Sequence, residues 1–178
     1  MPRIHIIYHS TKGHTERLAE CVAEGAQGVS GASTRLIRVH EAQEEHITRC
    51  EGLILGCPTY MGNVSAQMKI FMDEVLSPIW MKGGIPGTVG SAFTSSSTIH
   101  GDQEFAIMAM LITMFQMGMT LISLPPMVIR ENKSYGYSRG VGTSTLGMHA
   151  SMMPREDCEL ARHLGKRVAE VAKQIHGI

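Results

Sequence analysis

Hydroxyl side chains and a glycine are concentrated in one six-residue segment between a predicted strand and a predicted helix. This first loop reads Ser10-Thr11-Lys12-Gly13-His14-Thr15. The first turn of a helix offers unpaired N–H groups and the positive end of the helix dipole, so it attracts anions. Gly13 lets the backbone approach a ligand closely, and hydroxyls can donate hydrogen bonds to phosphate oxygens. The segment therefore predicts a phosphate site.

The alternative for the first loop is an ordinary helix N-cap, because Ser and Thr are common there. A cap needs one hydroxyl, whereas this segment has three hydroxyls and a glycine. Neither the triphosphate motif G-x-x-x-x-G-K-[ST] nor the dinucleotide motif G-x-G-x-x-G occurs there. A monophosphate is therefore favoured over a larger phosphate group.

Two further polar segments follow predicted strands. The second loop, Pro58-Thr59-Tyr60-Met61-Gly62-Asn63, can offer backbone groups to the polar edge of a flat ring while Tyr60 or Met61 covers its face. A turn leading into a helix is the alternative. The third loop, Thr94-Ser95-Ser96-Ser97-Thr98-Ile99-His100-Gly101, begins with five consecutive hydroxyl residues. It predicts a set of polar donors, and a flexible linker is the alternative.

Short apolar runs alternate with helically spaced apolar residues along the chain. Strands are predicted at residues 3–8, 34–39, 52–57, 88–94 and 119–124. Helices are predicted at residues 14–27, 41–49, 65–75, 102–117 and 156–175. We expect residues 76–87 to form a loop that carries Trp80, and residues 126–147 to be irregular. Fivefold alternation predicts an α/β fold with a parallel sheet covered on both faces, whose ligands bind at the carboxyl ends of the strands.

Composition excludes several classes of protein. A length of 178 residues with 43% apolar residues predicts a single domain with a sizeable core. Sixteen basic residues balance sixteen acidic ones, so the chain lacks both the basic excess of a nucleic-acid binder and the acidic excess of a small electron carrier. The four cysteines form no C-x-x-C pair, and no signal peptide precedes the first strand, so we expect a cytoplasmic protein.

Other site chemistries find little support in the sequence. The nine histidines show no metal-ligand spacing, and the nucleophile motif G-x-S-x-G is absent. Residues 105–129 carry no charge and are long enough to cross a membrane. Gly118 and Pro125-Pro126 interrupt and end that run, so we expect a buried helix followed by a core strand, and no membrane span.

Taken in order, the three loops resemble the FMN site of flavodoxin-like proteins. The pattern is similar to that of WrbA-type NAD(P)H:quinone oxidoreductases. It comprises S-x-x-G-H-x at residues 10–15, P-T-x-x-G-N at residues 58–63, a Ser/Thr/Gly loop ending in Q-E at residues 95–104, and Trp80. The resemblance spans nearly the whole chain and includes Arg139-Gly140 and the A-R-x-x-G segment at residues 161–165.

This resemblance implies a flavodoxin-like three-layer sandwich, with a five-stranded parallel sheet in the order 2-1-3-4-5 and one domain over residues 1–178. It implies that the first loop holds the ribityl phosphate of FMN. Residues 58–63 would line the isoalloxazine ring, with Thr59 to Met61 nearest to it. Ser96, Ser97, Thr98, Ile99, His100 and Gly101 would wrap its other edge. Trp80 would help to form the wall of the substrate pocket, and no side chain is assigned as a catalytic acid or base.

The implied activity is two-electron transfer from NAD(P)H to a quinone-like acceptor with ping-pong kinetics, in a homo-oligomer. A flavodoxin-type one-electron carrier and an FMN-binding protein without NAD(P)H turnover remain open alternatives. The chain differs from the family in two places. Residues 41–49 replace a longer insertion, which bears on the family's tetramer. Gln116-Met117 stands where the family has a histidine before the glycine that matches Gly118, which bears on quinone reduction.

Overall fold

A computed structural model describes residues 1–99, 101–131 and 139–178. All of its strands belong to one parallel sheet: β1 (Arg3–Tyr8), β2 (Ser33–Arg38), β3 (Gly52–Pro58), β4 (Val89–Ser96), β5 (Thr120–Leu121) and β6 (Val141–Ser144). The helices that connect and cover these strands are α1 (His14–Gln27), α2 (Glu44–Thr48), α3 (Ala66–Phe71), α4 (Ser77–Met81), α5 (Gln103–Gln116), α6 (Pro126–Glu131) and α7 (Arg155–His176).

The strand order β2-β1-β3-β4-β5 confirms the predicted order. The fifth position is divided, however. β5 pairs with the first two residues of β4, and β6 pairs with residues Phe93 to Ser96 of the same strand. The prediction that residues 126–147 are irregular was therefore wrong, since they include α6 and β6. The predicted strand at residues 119–124 is shorter than expected: β5 has two residues, and the Ile122 N–H adds one further bond to the Gly90 carbonyl over 3.0 Å. Pro125 and Pro126, which lack an N–H, cannot extend the ladder.

Trp80 lies on a helix, which corrects the prediction of a loop at residues 76–87. α3 continues without a break through a π-helical segment, Met72–Leu76, into α4. Pro78 reads as a helix breaker in the sequence, but it directly follows the π-helical segment, where the regular α-helical hydrogen-bond pattern is already interrupted. The helix predicted at residues 41–49 is shorter in the structure, where it is α2, and a 3₁₀ turn, Val39–Glu41, precedes it.

Two apolar cores lie on the two faces of the sheet. One contains Leu55, Met68, Phe71 and Met110, and packs α3, α4 and α5 against the sheet. The other contains Ile4, Ile54, Leu18 and Leu164, and packs α1 and α7 against the opposite face. β3 and β4 are buried along their whole length. Since both faces of the central strands are covered, their carboxyl ends form a fixed edge on which a site can be built.

The uncharged run at residues 105–129 comprises most of α5, β5 and the start of α6. Within the described ranges, no helix is both long and apolar enough to cross a membrane.

Candidate functional site

A cleft of about 360 Å³ lies at the carboxyl edge of the sheet. The structure brings the three predicted loops together there and adds a fourth loop after β6, at residues 145–149. The cleft is lined by Ser10, Thr11, Lys12, His14, Thr15, Pro58, Thr59, Tyr60, Ser95, Ser96, Ser97, Thr145, Gly147 and Met148. Hydroxyl groups dominate this lining. It is therefore suited to bind a ligand rich in hydrogen-bond acceptors.

The first loop leads from β1 into α1 in a way that leaves the helix end available to a ligand. Gly13 is the N-cap residue and has a φ of +86°, in the left-handed region that favours glycine. The N–H of Gly13 donates to Ser10 Oγ over 3.1 Å, which closes the loop on itself. Gly13 has no side chain that could accept the first N–H groups of α1, so the N-cap alternative is not realised. This geometry matches an anion-binding helix terminus.

The second loop is a tight turn with two consecutive residues of positive φ. Tyr60 N–H donates to the Asn63 carbonyl over 2.9 Å, and Asn63 N–H donates to the Tyr60 carbonyl over 3.0 Å. Met61 (φ 49°) and Gly62 (φ 73°) occupy the centre, the pattern of a type I′ turn. The Tyr60 hydroxyl donates to Thr11 Oγ1 over 3.1 Å and so links the second loop to the first.

The third loop is fixed by a buried glutamine that follows it. Gln103 Nε2 lies 2.6 Å from Ser96 Oγ and 2.9 Å from the Thr143 carbonyl, and donates to both. Ser96 Oγ in turn donates to the Thr98 carbonyl over 2.6 Å. One amide therefore joins the end of β4 to β6. His100, which we predicted to bind the cofactor, lies outside the described residues.

The fourth loop was missed by the sequence analysis and repeats the geometry of the second. Leu146 (φ 46°) and Gly147 (φ 77°) are its central residues, and Met148 N–H donates to the Thr145 carbonyl over 2.7 Å. His14 Nε2 lies 2.7 Å from the Met148 carbonyl, so it carries a proton and donates. The signal in the sequence was the small polar run Val141-Gly142-Thr143-Ser144, which is too short and too glycine-rich for an apolar-run criterion.

Backbone strain is concentrated around the cleft. In the described part of the chain, the non-glycine residues with positive φ are Met61, Asp102 and Leu146. One lies in each of the second and fourth loops, and Asp102 directly follows the third. Such conformations cost about 1–3 kcal/mol each and persist where the surrounding structure fixes them, commonly at functional sites. Met61 is fully exposed at the tip of its turn.

Three titratable side chains next to the cleft, those of Tyr8, His9 and Cys57, are held in neutral forms. Burial and the acceptor Glu16 raise the pKa of Tyr8, at the end of β1, to about 12, so the phenol keeps its proton. Burial, reinforced by the charges of Arg38 and His40, lowers the pKa of His9. Burial also raises the pKa of the Cys57 thiol to about 11, so no thiolate nucleophile forms below the cleft at neutral pH. The arrangement indicates binding and orientation more than acid–base chemistry.

Not every residue assigned to the site lines the cleft. Gly13 of the first loop, Met61, Gly62 and Asn63 of the second, and Thr98, Ile99 and Gly101 of the third are not among the lining residues. Trp80 lies elsewhere, half-exposed in a separate groove of about 280 Å³ that it shares with Asp73, Thr113 and Gln116. In a single chain, therefore, Trp80 does not contribute to the cleft wall.

Metal-ligating side chains do not gather at the cleft or elsewhere in residues 1–99, 101–131 and 139–178. No three His, Cys, Asp or Glu residues in these ranges are close enough together to hold a metal ion.

Known proteins share this fold and sequence pattern over most of the chain. The family model described as Flavodoxin matches residues 6–80. The chain is 35% identical to an NAD(P)H dehydrogenase (quinone) of Aromatoleum aromaticum, over 97% of each chain. It is 34% identical to an NAD(P)H dehydrogenase (quinone) of Methanosarcina acetivorans, over 99% of this chain and 100% of the relative. The crystal structure of a flavodoxin, WrbA-like protein from Agrobacterium tumefaciens superposes with a TM-score of 0.76 at 30% identity, covering 98% and 99% of the two chains.

The relatives are longer than this chain. The alignment with the Aromatoleum protein extends over 204 positions, whereas the chain has 178 residues. The relative therefore contains residues that have no counterpart here.

Proposed function

Because the chain belongs to the flavodoxin-like family of the NAD(P)H dehydrogenases (quinone), we propose that it is an FMN-dependent oxidoreductase. In this proposal NAD(P)H is the electron donor and a quinone is the acceptor. The observation that carries the proposal is the hydroxyl-lined cleft at the carboxyl edge of the sheet, in which the first, second and third loops meet. The relatives' names supply the reaction class, and the cleft supplies a site of matching chemistry.

The first loop fits the phosphate of FMN. Gly13 exposes the first N–H groups of α1, and the hydroxyls of Ser10 and Thr11 line the cleft beside them. Lys12 adds a positive charge at the same rim. Thr15 is buried, and its Oγ1 lies 2.8 Å from Ser95 Oγ, which joins the first loop to the third. A monophosphate needs no more than this set of donors.

The second, third and fourth loops fit a flat ring. The Thr59 N–H donates to the Ser95 carbonyl over 2.8 Å, and the Thr145 N–H donates to the Ser96 carbonyl over 2.8 Å, so the three loops are fixed relative to one another. Tyr60 is half-exposed at the rim of the cleft and can cover one face of a ring. FMN supplies hydride acceptance from a nicotinamide and two-electron delivery to a quinone, and ping-pong kinetics follow if both substrates use the same exposed face.

The test is to identify the cofactor and its electron donor. Protein denatured after purification is expected to release FMN and no FAD. Anaerobic mixing with NADH or NADPH should bleach the flavin absorbance, and a quinone should then restore it. Release of FAD, or failure of both nucleotides to bleach FMN-loaded protein, would contradict the proposal. If the protein releases FMN but neither NADH nor NADPH reduces it, the one-electron carrier or the protein without turnover is favoured instead.

We further predict that no histidine beside the cleft is an essential acid or base. His14 Nε2 donates to the Met148 carbonyl, and His149 Nδ1 accepts from the Ser151 N–H over 3.3 Å. Both imidazoles therefore make local structural hydrogen bonds. A general acid or base contributes about 10²–10⁴-fold. His14→Ala, His149→Ala and, at the undescribed position, His100→Ala should each slow flavin reduction by less than about 100-fold. Stopped-flow reduction of FMN-loaded variants measures this, and a loss near the upper end of that range would identify a catalytic histidine.

We also propose that the protein is a cytoplasmic homo-oligomer, a dimer or tetramer. α5 is apolar on both sides. Its inner side is buried, whereas Phe105, Ile112 and Phe115 form an exposed stripe at intervals of seven and three residues. Phe115 remains 71% exposed in the single chain. An outward apolar helix face of this kind favours a partner surface, and zero net charge imposes no repulsion between copies. A role for Trp80 in a substrate pocket would then require the cleft of a second copy.

The stripe gives a direct test of self-association. We expect Ile112→Lys combined with Phe115→Glu to convert the protein to monomers, because two charges would have to be desolvated in the interface. Ile175→Lys is the control, since Ile175 is 46% exposed on α7, away from the stripe. Light scattering measures the mass of each variant. A wild-type monomer with full activity, or an unchanged oligomer in the double variant, would contradict the proposal.

A further inference from the structure

We propose that Cys21 and Cys158 are a modification site, at which a hydroperoxide converts the two thiols into a reversible disulfide linking α1 to α7. The two cysteines lie far apart in the sequence, and no motif connects them. In the structure both are free thiols, and their sulfur atoms are 2.8 Å apart. A disulfide bond is about 2.05 Å long, so the sulfur atoms need to approach by less than about 1 Å.

The packing of the two helices produces this approach. A Cβ added to Gly25 of α1 would lie 1.9 Å from the Arg162 carbonyl of α7, and one added to Gly165 would lie 1.9 Å from the Val22 carbonyl. The glycines therefore allow the two backbones to touch. Cys21 lies one helical turn before Gly25 on α1, and Cys158 lies one turn before Arg162 on α7. The two cysteines therefore face each other next to the Gly25–Arg162 contact. The backbone contact one turn away holds the two helices together beside the cysteines, so the remaining approach of the sulfur atoms is small.

The surroundings favour a reactive thiolate at Cys158. Cys21 S–H donates to Cys158 Sγ, and this bond, aided by the guanidinium groups of Arg17 and Arg162, lowers the pKa of the Cys158 thiol. Burial and the charge of Glu24 act in the opposite direction on this pKa, but they do not reverse it, and Glu24 is paired with Arg162 over 2.7 Å. Cys158 also retains slight exposure, whereas Cys21 has none. Cys158 is therefore the sulfur that an oxidant meets first.

The chemistry takes two steps. The Cys158 thiolate attacks a hydroperoxide, whose O–O bond breaks; Cys158 becomes a sulfenic acid and, with one proton, water or an alcohol departs. Cys21 sulfur then attacks the sulfenic sulfur, the S–S bond forms, and the sulfenic oxygen leaves as water with the proton from Cys21. The two thiols are oxidised by two electrons, and the peroxide is reduced. A dithiol such as dithiothreitol returns both thiols by exchange.

The first experiment counts thiols in the flavin-loaded, pre-reduced protein before and after hydrogen peroxide is added. In denaturant, the reduced chain should show four thiols, the full cysteine content, and the oxidised chain should show two. Peptide mapping should find Cys21 linked to Cys158, and the oxidised protein should melt about 5–15 °C higher, as expected for a bond closing a long loop. Retention of four thiols, or a linkage that involves Cys50 or Cys57, would overturn the proposal.

Variants distinguish the roles of the two sulfurs. In Cys21→Ser, Cys158 should accumulate as a sulfenic acid that dimedone labels, because the second thiol is missing. In Cys158→Ser, dimedone should label Cys21 at least about tenfold less, consistent with its burial and missing activation. Cys50→Ala is the matched control: Cys50 is also buried, and this variant should form the disulfide normally. Equal labelling in the two serine variants would overturn the assignment of Cys158 as the reactive thiol.

Discussion

Gly13→Val is expected to abolish FMN binding while the apo-protein remains folded. Gly13 has a φ of +86°, a conformation that a β-branched residue adopts only under strain of about 1–3 kcal/mol. The loop would relieve that strain by changing shape, and the N–H groups of the α1 terminus would then lose their alignment on the phosphate. Each charge-assisted hydrogen bond to the phosphate that is lost weakens the binding free energy of FMN by about 1.5–3 kcal/mol. We therefore expect FMN affinity, measured by calorimetric titration, to fall at least about 100-fold.

Gly31→Val provides the matched control for Gly13→Val. Gly31 has nearly the same φ, +83°, but lies in the turn before β2, at the opposite edge of the sheet. A Cβ there meets only the Met1 side chain, at 3.8 Å. The control should lose a similar amount of stability and keep its FMN affinity. Equal losses of affinity in both variants, or unchanged affinity in Gly13→Val, would place the phosphate elsewhere.

Gly165→Ala is expected to destabilise the protein by about 3 kcal/mol, which lowers the Tm by about 6–12 °C. This loss of stability is the opposite of the usual effect, because replacing glycine by alanine inside a helix normally stabilises the helix by about 1 kcal/mol. Here the added Cβ would lie 1.9 Å from the Val22 carbonyl and 3.1 Å from the Ala26 nitrogen. Both are backbone atoms, so α1 and α7 must move apart. Calorimetric or circular-dichroism melting of the apo-protein measures the change.

Two further glycine variants serve as comparisons for Gly165→Ala. Gly25→Ala should cause a comparable loss, because its Cβ would lie 1.9 Å from the Arg162 carbonyl. Gly28→Ala, at the end of the same helix, should change the Tm much less, since its Cβ would lie 3.3 Å from the Gly25 carbonyl. A Tm for Gly165→Ala equal to or above that of the wild type would show that the helices do not make this backbone contact.

The sequence predicted those parts of the fold that local patterns determine. β1 and β3 are largely apolar runs, in which burial on both faces removes the polar alternation of a half-exposed strand. β4 is also buried, although half of its eight residues carry hydroxyl groups. The positions of three loops followed from the rules for parallel sheets, whereas the strand order followed from the resemblance to flavodoxin-like proteins. The helix through Pro78 was not predicted, because a π-helical segment leaves no local signature in the sequence.

The missing parts of the site depend on contacts distant in sequence. β6 has only four residues, two of them hydroxyl-bearing, and it becomes a strand by pairing with β4. Gln103 and Asp157 hold it there: Gln103 donates to the Thr143 carbonyl, and Thr143 Oγ1 donates to Asp157 Oδ2 over 2.6 Å. No window of sequence contains all of these partners. The same holds for Cys21 and Cys158, which become neighbours only when α1 meets α7.

Because the fifth position of the sheet is divided, two different strands pair with the two ends of β4. β5 pairs with the first two residues of β4, at the end of the strand away from the cleft. β6 pairs with the last four residues and leads into the fourth loop of the cleft. Both β5 and β6 pair with β4 alone, at the outer edge of the sheet, so changes in either of them leave the registers of β1, β2 and β3 intact. The rim of the cleft that β6 carries can therefore change without a change in the pairing of the inner strands.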